Sequence, residues 1–182
     1  TRIGSSAASD VYKRQKFAIQ LGHAGRKASH HVPWQGGRAL SKEEDAWVTV
    51  APSAIPFTLG SPIPEALERE EMQKIKQNFI NSAKRAIKLG FSAVELHGAH
   101  GYLLHEFISP ISNQRNDEFG GCLDNRLKFP LEIFDELRKI VPSDIALGLR
   151  ITGTDWRDDG LSLEDAKNVA KTFEAHGADY LC

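Results

Sequence analysis

Residues 90–102, GFSAVELHGAHGY, decide how this chain is read. Ala93, Glu95 and His97 alternate with Val94 and Leu96, and side chains of a strand point to opposite faces in turn. The stretch therefore predicts a short strand, Ala93 to His97, with one aliphatic face and one polar face. Glycines at 98 and 101 bracket a second histidine, His100, and Tyr102 follows, so the strand runs into a turn rich in hydrogen-bonding rings. Upstream, Met72, Ile75, Phe79, Ala83 and Ala86 recur every three or four residues, an amphipathic helix closed by Gly90.

The same alternation of strand and helix extends in both directions. KFAIQLGHAGR, residues 16–26, is an alternating strand (Phe17 to Leu21) ending in glycines, and Ile145 to Ile151 is another. Asp124 is placed to cap a helix carrying Leu127, Leu131, Phe134 and Leu137, with Pro130 expected to strain or kink its early part. Ser162 and Asp165 form a capping pair for a helix with Ala166, Val169, Ala170 and Phe173, stopped at Gly177. Residues 179–182, DYLC, read as a strand just begun. Strand–helix alternation predicts right-handed parallel β/α units, an α/β fold. Residues 32–64 form a long Pro/Gly-punctuated excursion, unusual unless it covers or shapes a site. Residues 1–15, TRIGSSAASDVYKRQ, carry neither period and read as a disordered or foreign tail outside the fold.

Splitting the three strands by face sharpens the picture. Ile19 and Leu21, Val94 and Leu96, and Leu147 and Leu149 would pack beneath helices. The opposite faces carry Ala18, Gln20 and Gly22; Ala93, Glu95 and His97; and Ala146, Gly148 and Arg150. A packed barrel lumen is normally filled by branched aliphatics, with chemistry at the C-terminal rim. A small-plus-polar lumen face with Gln20, His97 and Arg150 toward its C-terminal end instead predicts a ligand there.

Composition narrows the class. The 182 residues suit one domain, and a net charge of −1 gives no basic footprint for nucleic acid and no acidic tail. No apolar run approaches a membrane span, and no leader pattern precedes the chain. Cys122 and Cys182 are the only cysteines, too few for a disulfide framework, so the expectation is a cytoplasmic protein.

His97 and His100 have three readings. As zinc ligands they need a third partner, with Glu95 the nearest candidate, yet neither H-E-x-x-H nor H-x-H occurs. As structural histidines they simply satisfy a glycine-rich loop. As neutral imidazole donors they converge on one substrate oxygen, an electrophilic clamp. Tyr102, offset from both, suits a positioned proton donor, although rim tyrosines often only pack. Gln20 offers donors and an acceptor to an amide-like heterocycle edge, and Arg150 is either a rim salt bridge or a ligand cation. SNQRNDEFGG, residues 112–121, reads as a loop tied to neighbouring backbone, and His23 and Arg26 stay ambiguous.

QLGHAGRKA, HGAHGYLLHEFISPISNQRNDEFGG, DNRLKF and GLRIT resemble the old yellow enzymes, FMN-dependent ene-reductases on a (β/α)8 barrel. The likeness runs from about Lys16 to Cys182. The H-x-x-H form, where yeast-type members have H-x-x-N, points to the bacterial, thermophilic-like or xenobiotic-reductase branch. The resemblance implies that Gln20 and Arg150 contact the flavin, and that the stretch His97, Gly98, Ala99, His100 with Tyr102 binds substrate. His97 and His100 would grip the oxygen of an activated alkene, Tyr102 would supply a proton, and NADPH or NADH would be the reductant. It further implies a small-molecule partner and a homo-oligomer. Cys122, where the family usually has serine, and Pro130, within a usually uninterrupted helix, depart from the pattern.

A (β/α)8 barrel takes roughly 250 residues. The chain supplies about four strands, strands three to six by family order, and so reads as an internal fragment, inactive by itself. A dienoyl-CoA-reductase-like iron–sulfur flavoenzyme, a metal-dependent barrel hydrolase using His97 and His100, and a segment with no ligand of its own are the competing expectations.

Overall fold

A computed structural model describes residues 15–182, so the tail reading of residues 1–15 lies, but for Gln15, outside the described residues. In chain order the elements are β1 (Ala18–Leu21), β2 (Val50–Ala51), β3 (Glu65–Ala66), α1 (Arg69–Lys88), β4 (Ala93–Gly98), α2 (Leu103–Ile108), α3 (Leu123–Ile140), β5 (Ala146–Ile151), α4 (Leu163–Ala175) and β6 (Tyr180–Leu181). Three short 3-10 turns lie between β1 and β2.

Alternation builds the sheet. β1, β4, β5 and β6 lie side by side in that order, every pair parallel, which matches the α/β reading. Their aliphatic residues face the helices: Val94, Leu96, Leu147 and Leu149 are each fully buried. Phe79, Phe107, Phe129, Phe134 and Phe173 close the same core from the helical side. Burying such side chains contributes about 1.5–3 kcal/mol apiece, which makes this layer the main source of stability.

Register then stacks the other face in rows. Ala18, Ala93 and Ala146 form the lowest row. Gln20, Glu95, Gly148 and Tyr180 form the next, and His97 and Arg150 pair above it. Gly148 is required there. A Cβ on it would lie 2.5 Å from Tyr180 Cε2, so its absence admits the tyrosine ring across β5.

Helix ends follow the local chemistry, with one correction. Ser162 and Asp165 do form a reciprocal cap at α4. Asp124 does not cap α3: the N-cap is Cys122, and Asp124 sits in the first turn, where its negative charge complements the helix dipole. Pro130 lies inside α3, and the helix continues ten residues beyond it to Ile140, buried contacts holding it where one backbone hydrogen bond is missing. α2 was not legible at all. Its six residues, LLHEFI, are all buried, so no polar face gives it a period. Among the described residues no helix is long and apolar enough to cross a membrane.

Candidate active site

The end of β4 delivers His97 to the rim, and the turn after it folds two more rings back onto it. The His97 and His100 rings meet edge to face, with centroids 5.1 Å apart and planes at 90°. Tyr102 approaches His97 in the same manner at 5.0 Å and 78°. His97 is buried, His100 is exposed and Tyr102 lies between. Burial, followed by the nearness of His100 and Arg150, lowers the His97 pKa and keeps its imidazole neutral. Its Nδ1 is buried and has no hydrogen-bond partner among the described residues. Leaving such an atom unpaired costs about 1–3 kcal/mol.

The turn is held by all three neighbouring elements. His100 and Gly101 both have left-handed backbone, at φ 60° and 70°. Left-handed backbone is rare outside glycine and persists where surroundings fix it. Here the His100 N–H donates to Thr152 Oγ1 at 3.0 Å, past the end of β5. Lys27, from the loop after β1, donates to the His100 carbonyl at 2.6 Å and lies over the Phe57 ring. The Gly101 N–H donates to His105 Nδ1 at 2.9 Å, within α2. Glycine suits position 101 because its φ of 70° is one L side chains rarely adopt; a Cβ would also come within 2.9 Å of Lys27 Nζ, the movable end of that side chain.

Beneath the rim, Glu95 ties the lumen row together. Gln20 Nε2 donates to its Oε1 at 2.6 Å, and Cys182 Sγ donates to its Oε2 at 3.3 Å. Tyr180 stands in the same row, where burial first and the Glu95 charge second push its phenol up to about 12, so it stays protonated. Glu95 therefore serves its neighbours and is not directed at the histidine pair. Among the described residues no group of three His, Cys, Asp or Glu side chains is placed to hold a metal ion.

A second buried group lies behind the turn. Glu106 is fully buried and accepts from the Arg26 N–H at 3.0 Å, while Arg26 Nη1 reaches the Ile55 and Pro56 carbonyls. His23, lowered in pKa by burial, accepts the Gly25 N–H at 3.1 Å. Between this group and the turn runs a cleft of about 420 Å³ whose lining includes Lys27, Phe57, His100, His105, Thr152 and Trp156.

Sequence reasoning named His97, His100 and Tyr102, and the structure brings them together, with Gly98 and Ala99 forming the link. Arg150 stands beside His97 across β4–β5, while Gln20 sits one row lower, bonded to Glu95. The 112–121 loop is tied to backbone as expected: Arg115 Nη1 bonds the Pro52 and Leu67 carbonyls, and Asn113 Nδ2 those of Phe107 and Phe119. Glu95 was weighed only as a third zinc ligand, and Lys27, His105, Glu106 and Asp155 went unassigned. His105 alone left a trace, as the third histidine of HGAHGYLLHEF.

Comparison with known proteins places the chain in a family. Residues 10–181 match the profile of a family described as NADH:flavin oxidoreductase / NADH oxidase. The chain is 42% identical over 179 residues to an NADH:flavin oxidoreductase of Gibberella zeae, covering 91% of this chain and 43% of that protein. It is 40% identical over 166 residues to an NADPH dehydrogenase of Bacillus subtilis, covering 91% of this chain and 44% of the relative. Among solved structures, morphinone reductase in complex with tetrahydroNAD superposes with a TM-score of 0.75 at 29% identity, covering 96% of this chain and 50% of the other. An old yellow enzyme from Pichia sp. gives 0.75 at 27% identity, with 95% and 48% covered. The chain thus spans somewhat under half the length of the curated relatives it matches.

Proposed function

The chain belongs to the NADH:flavin oxidoreductase / NADH oxidase family, and from that premise we propose that it forms the substrate-gripping part of an FMN-dependent NADPH dehydrogenase of old-yellow-enzyme type. The substrate class we propose is the small enone or related alkene activated by a carbonyl or nitro group. In this reading the four-stranded sheet is part of a (β/α)8 barrel whose lumen face holds the flavin.

The residues suit that cofactor. The row of Ala18, Ala93 and Ala146 is small, which leaves room on this face for a flat heterocycle. Gln20 would offer its amide to the pyrimidine edge, and the exposed Arg150 guanidinium would lie by the N1/C2 carbonyl side, favouring negative charge there. Bound FMN supplies hydride, drawn from NADPH or NADH, to the β-carbon of the alkene.

The chain's own residues do the rest. His97 and His100, ring N–H donors side by side at the rim, hold the substrate oxygen and stabilise the negative charge that gathers on it. Tyr102 holds its phenolic proton for the α-carbon. The single observation that carries this reading is the meeting of the His100 and Tyr102 rings with His97, each about 5 Å from it, at the end of β4.

The test is made on the complete gene product. It should purify yellow with bound FMN and oxidise NADPH in the presence of cyclohexenone. His97→Ala or His100→Ala should retain FMN and lose on the order of 10²-fold in alkene reduction. Tyr102→Phe should slow the alkene step and spare flavin reduction by NADPH. A colourless protein with stoichiometric zinc, or wild-type rates in either histidine variant, would overturn the assignment.

A further inference from the structure

We propose that His105, which touches none of the reacting groups, is the positioning residue for the His100–Tyr102 turn, acting through the Gly101 amide and braced by Asp155. The inference rests on the reading of His97, His100 and Tyr102 as the substrate grip.

The argument begins with a proton. Gly101 N–H donates to His105 Nδ1 at 2.9 Å, so that nitrogen must carry a lone pair. The ring proton therefore sits on Nε2, and Nε2 stands 3.2 Å from Asp155 Oδ1, close in distance though off the line of a well-formed hydrogen bond. Both side chains are nearly buried, at 7% and 9% exposure, so the contact is little screened. Asp155 is itself fixed. Its Oδ2 accepts from Ser109 Oγ at 2.6 Å and from the Leu161 N–H at 2.8 Å. Burial pushes its carboxyl up, but His105, Ser109 and the Leu161 amide together pull it down to about 2, so it is a standing negative charge.

A carboxylate facing one imidazole nitrogen fixes the tautomer and makes the other nitrogen a better acceptor, the same logic by which carboxylates orient histidines in metal and catalytic sites. What that acceptor holds is the one backbone donor of the left-handed pair that no neighbouring strand reaches. The His100 N–H and carbonyl go to Thr152 and Lys27, and Gly101 goes only to His105. Without it, the Gly101 N–H loses its acceptor and the turn can relax toward ordinary backbone. That relaxation swings the His100 and Tyr102 rings away from His97. His105 can do this locally because it lies four residues after Gly101, in the first turn of α2.

Two substitutions separate the two ends of the imidazole. In His105→Asn the side-chain oxygen lies near the former Nδ1 and can still accept from Gly101. In His105→Gln the amide reaches toward Asp155 and leaves Gly101 unserved. Amide hydrogen exchange at Gly101, read by NMR on the complete gene product, should stay slow in wild type and His105→Asn and quicken at least tenfold in His105→Gln. Affinity for a phenol ligand, titrated by flavin absorbance, should follow the same pattern, near wild type in Asn and weakened about tenfold in Gln, with FMN content and melting temperature alike in the two variants. Equal behaviour of Asn and Gln in either measurement overturns the proposal. So does quickened exchange with unchanged phenol affinity, which would make the tether real but without effect on the grip. If the wild type binds FMN but no phenol, the grip reading itself has failed, and the inference falls with it while the exchange pattern still reports the tether.

Discussion

The turn at residues 99–102 and the excursion at 32–64 are both irregular backbone, and both contain left-handed residues, yet they are built in opposite ways. In and around the turn, space is used up. A Cβ on Gly101 would meet Lys27, and one on Gly25 would lie 2.5 Å from Glu106 Cδ. In the excursion, a Cβ on Gly36 or Gly60 would meet nothing within 4 Å. Trp34 is 83% exposed, and Leu59 is wholly so. The excursion's outer part relies on surface pairs such as Arg38 with Glu44, which contribute little in water. Its middle is tied down where Arg26 and Arg115 reach the Ile55, Pro56 and Pro52 carbonyls. The turn relies on hydrogen bonds from three separate elements, exposed at Lys27 and Thr152 and half-buried at His105. Irregular chain becomes a precise scaffold where the surrounding side chains leave it one conformation, and the proposed grip sits in that part of the molecule.

The contrast can be broken most severely at Gly25. Its left-handed φ of 59° and the Glu106 carboxylate above it leave no room for a side chain. Gly25→Val should abolish folding, read as loss of soluble protein and of a cooperative melting transition, whereas Gly60→Ala should cost only about 1 kcal/mol, mainly from its left-handed backbone. A folded Gly25→Val protein would show that the crowding is not binding on the chain.

Next in size is the response of Glu106 to pH. Burial pushes its carboxyl up to about 8 from an ordinary 4.5, against the pull of Arg26 and Lys27. The folded protein keeps this proton over a range in which the unfolded chain releases it. Stability from that source is full below about 4.5 and lost as pH rises toward 8. Each unit by which the group resists ionisation is worth about 1.4 kcal/mol, so wild type should lose a few kcal/mol relative to Glu106→Gln across that window. Denaturant melts at pH 5 and pH 8 measure it. Parallel stabilities at both pH values would place the Glu106 charge in contact with water.

The smallest effect belongs to the excursion. Trp34→Ser removes a large exposed ring and should change stability by less than about 0.5 kcal/mol. A larger loss would mean that the excursion is held by contacts of its own, and the contrast with the turn would narrow.

How far the sequence could be read follows the same division. Faces were legible because strand periodicity is strict: Val94, Leu96, Leu147 and Leu149 went inward, and His97 came to the rim. The three rings were legible because they lie within six residues. Row height was not, because register between parallel strands is set across 75 residues, and so Gln20 came to rest beside Glu95 and one row below His97. His105, Glu106 and Asp155 escaped for a similar reason. Glu106 pairs with Arg26 across 80 residues, and a buried helix with no polar face announces neither itself nor its partners.

The left-handed backbone at His100 also narrows what evolution can try there. At a φ near 60° the tolerated residues are few: glycine, asparagine, aspartate and histidine are the types that adopt it readily. Glycine has no side chain to offer, and an ionised aspartate accepts but does not donate. Of these favoured types, asparagine and histidine combine the backbone with an N–H for a substrate oxygen. A position that looks free to vary on an exposed loop thus has a short alphabet, and exchanging an imidazole for an amide adjusts reach and acidity without rebuilding the turn.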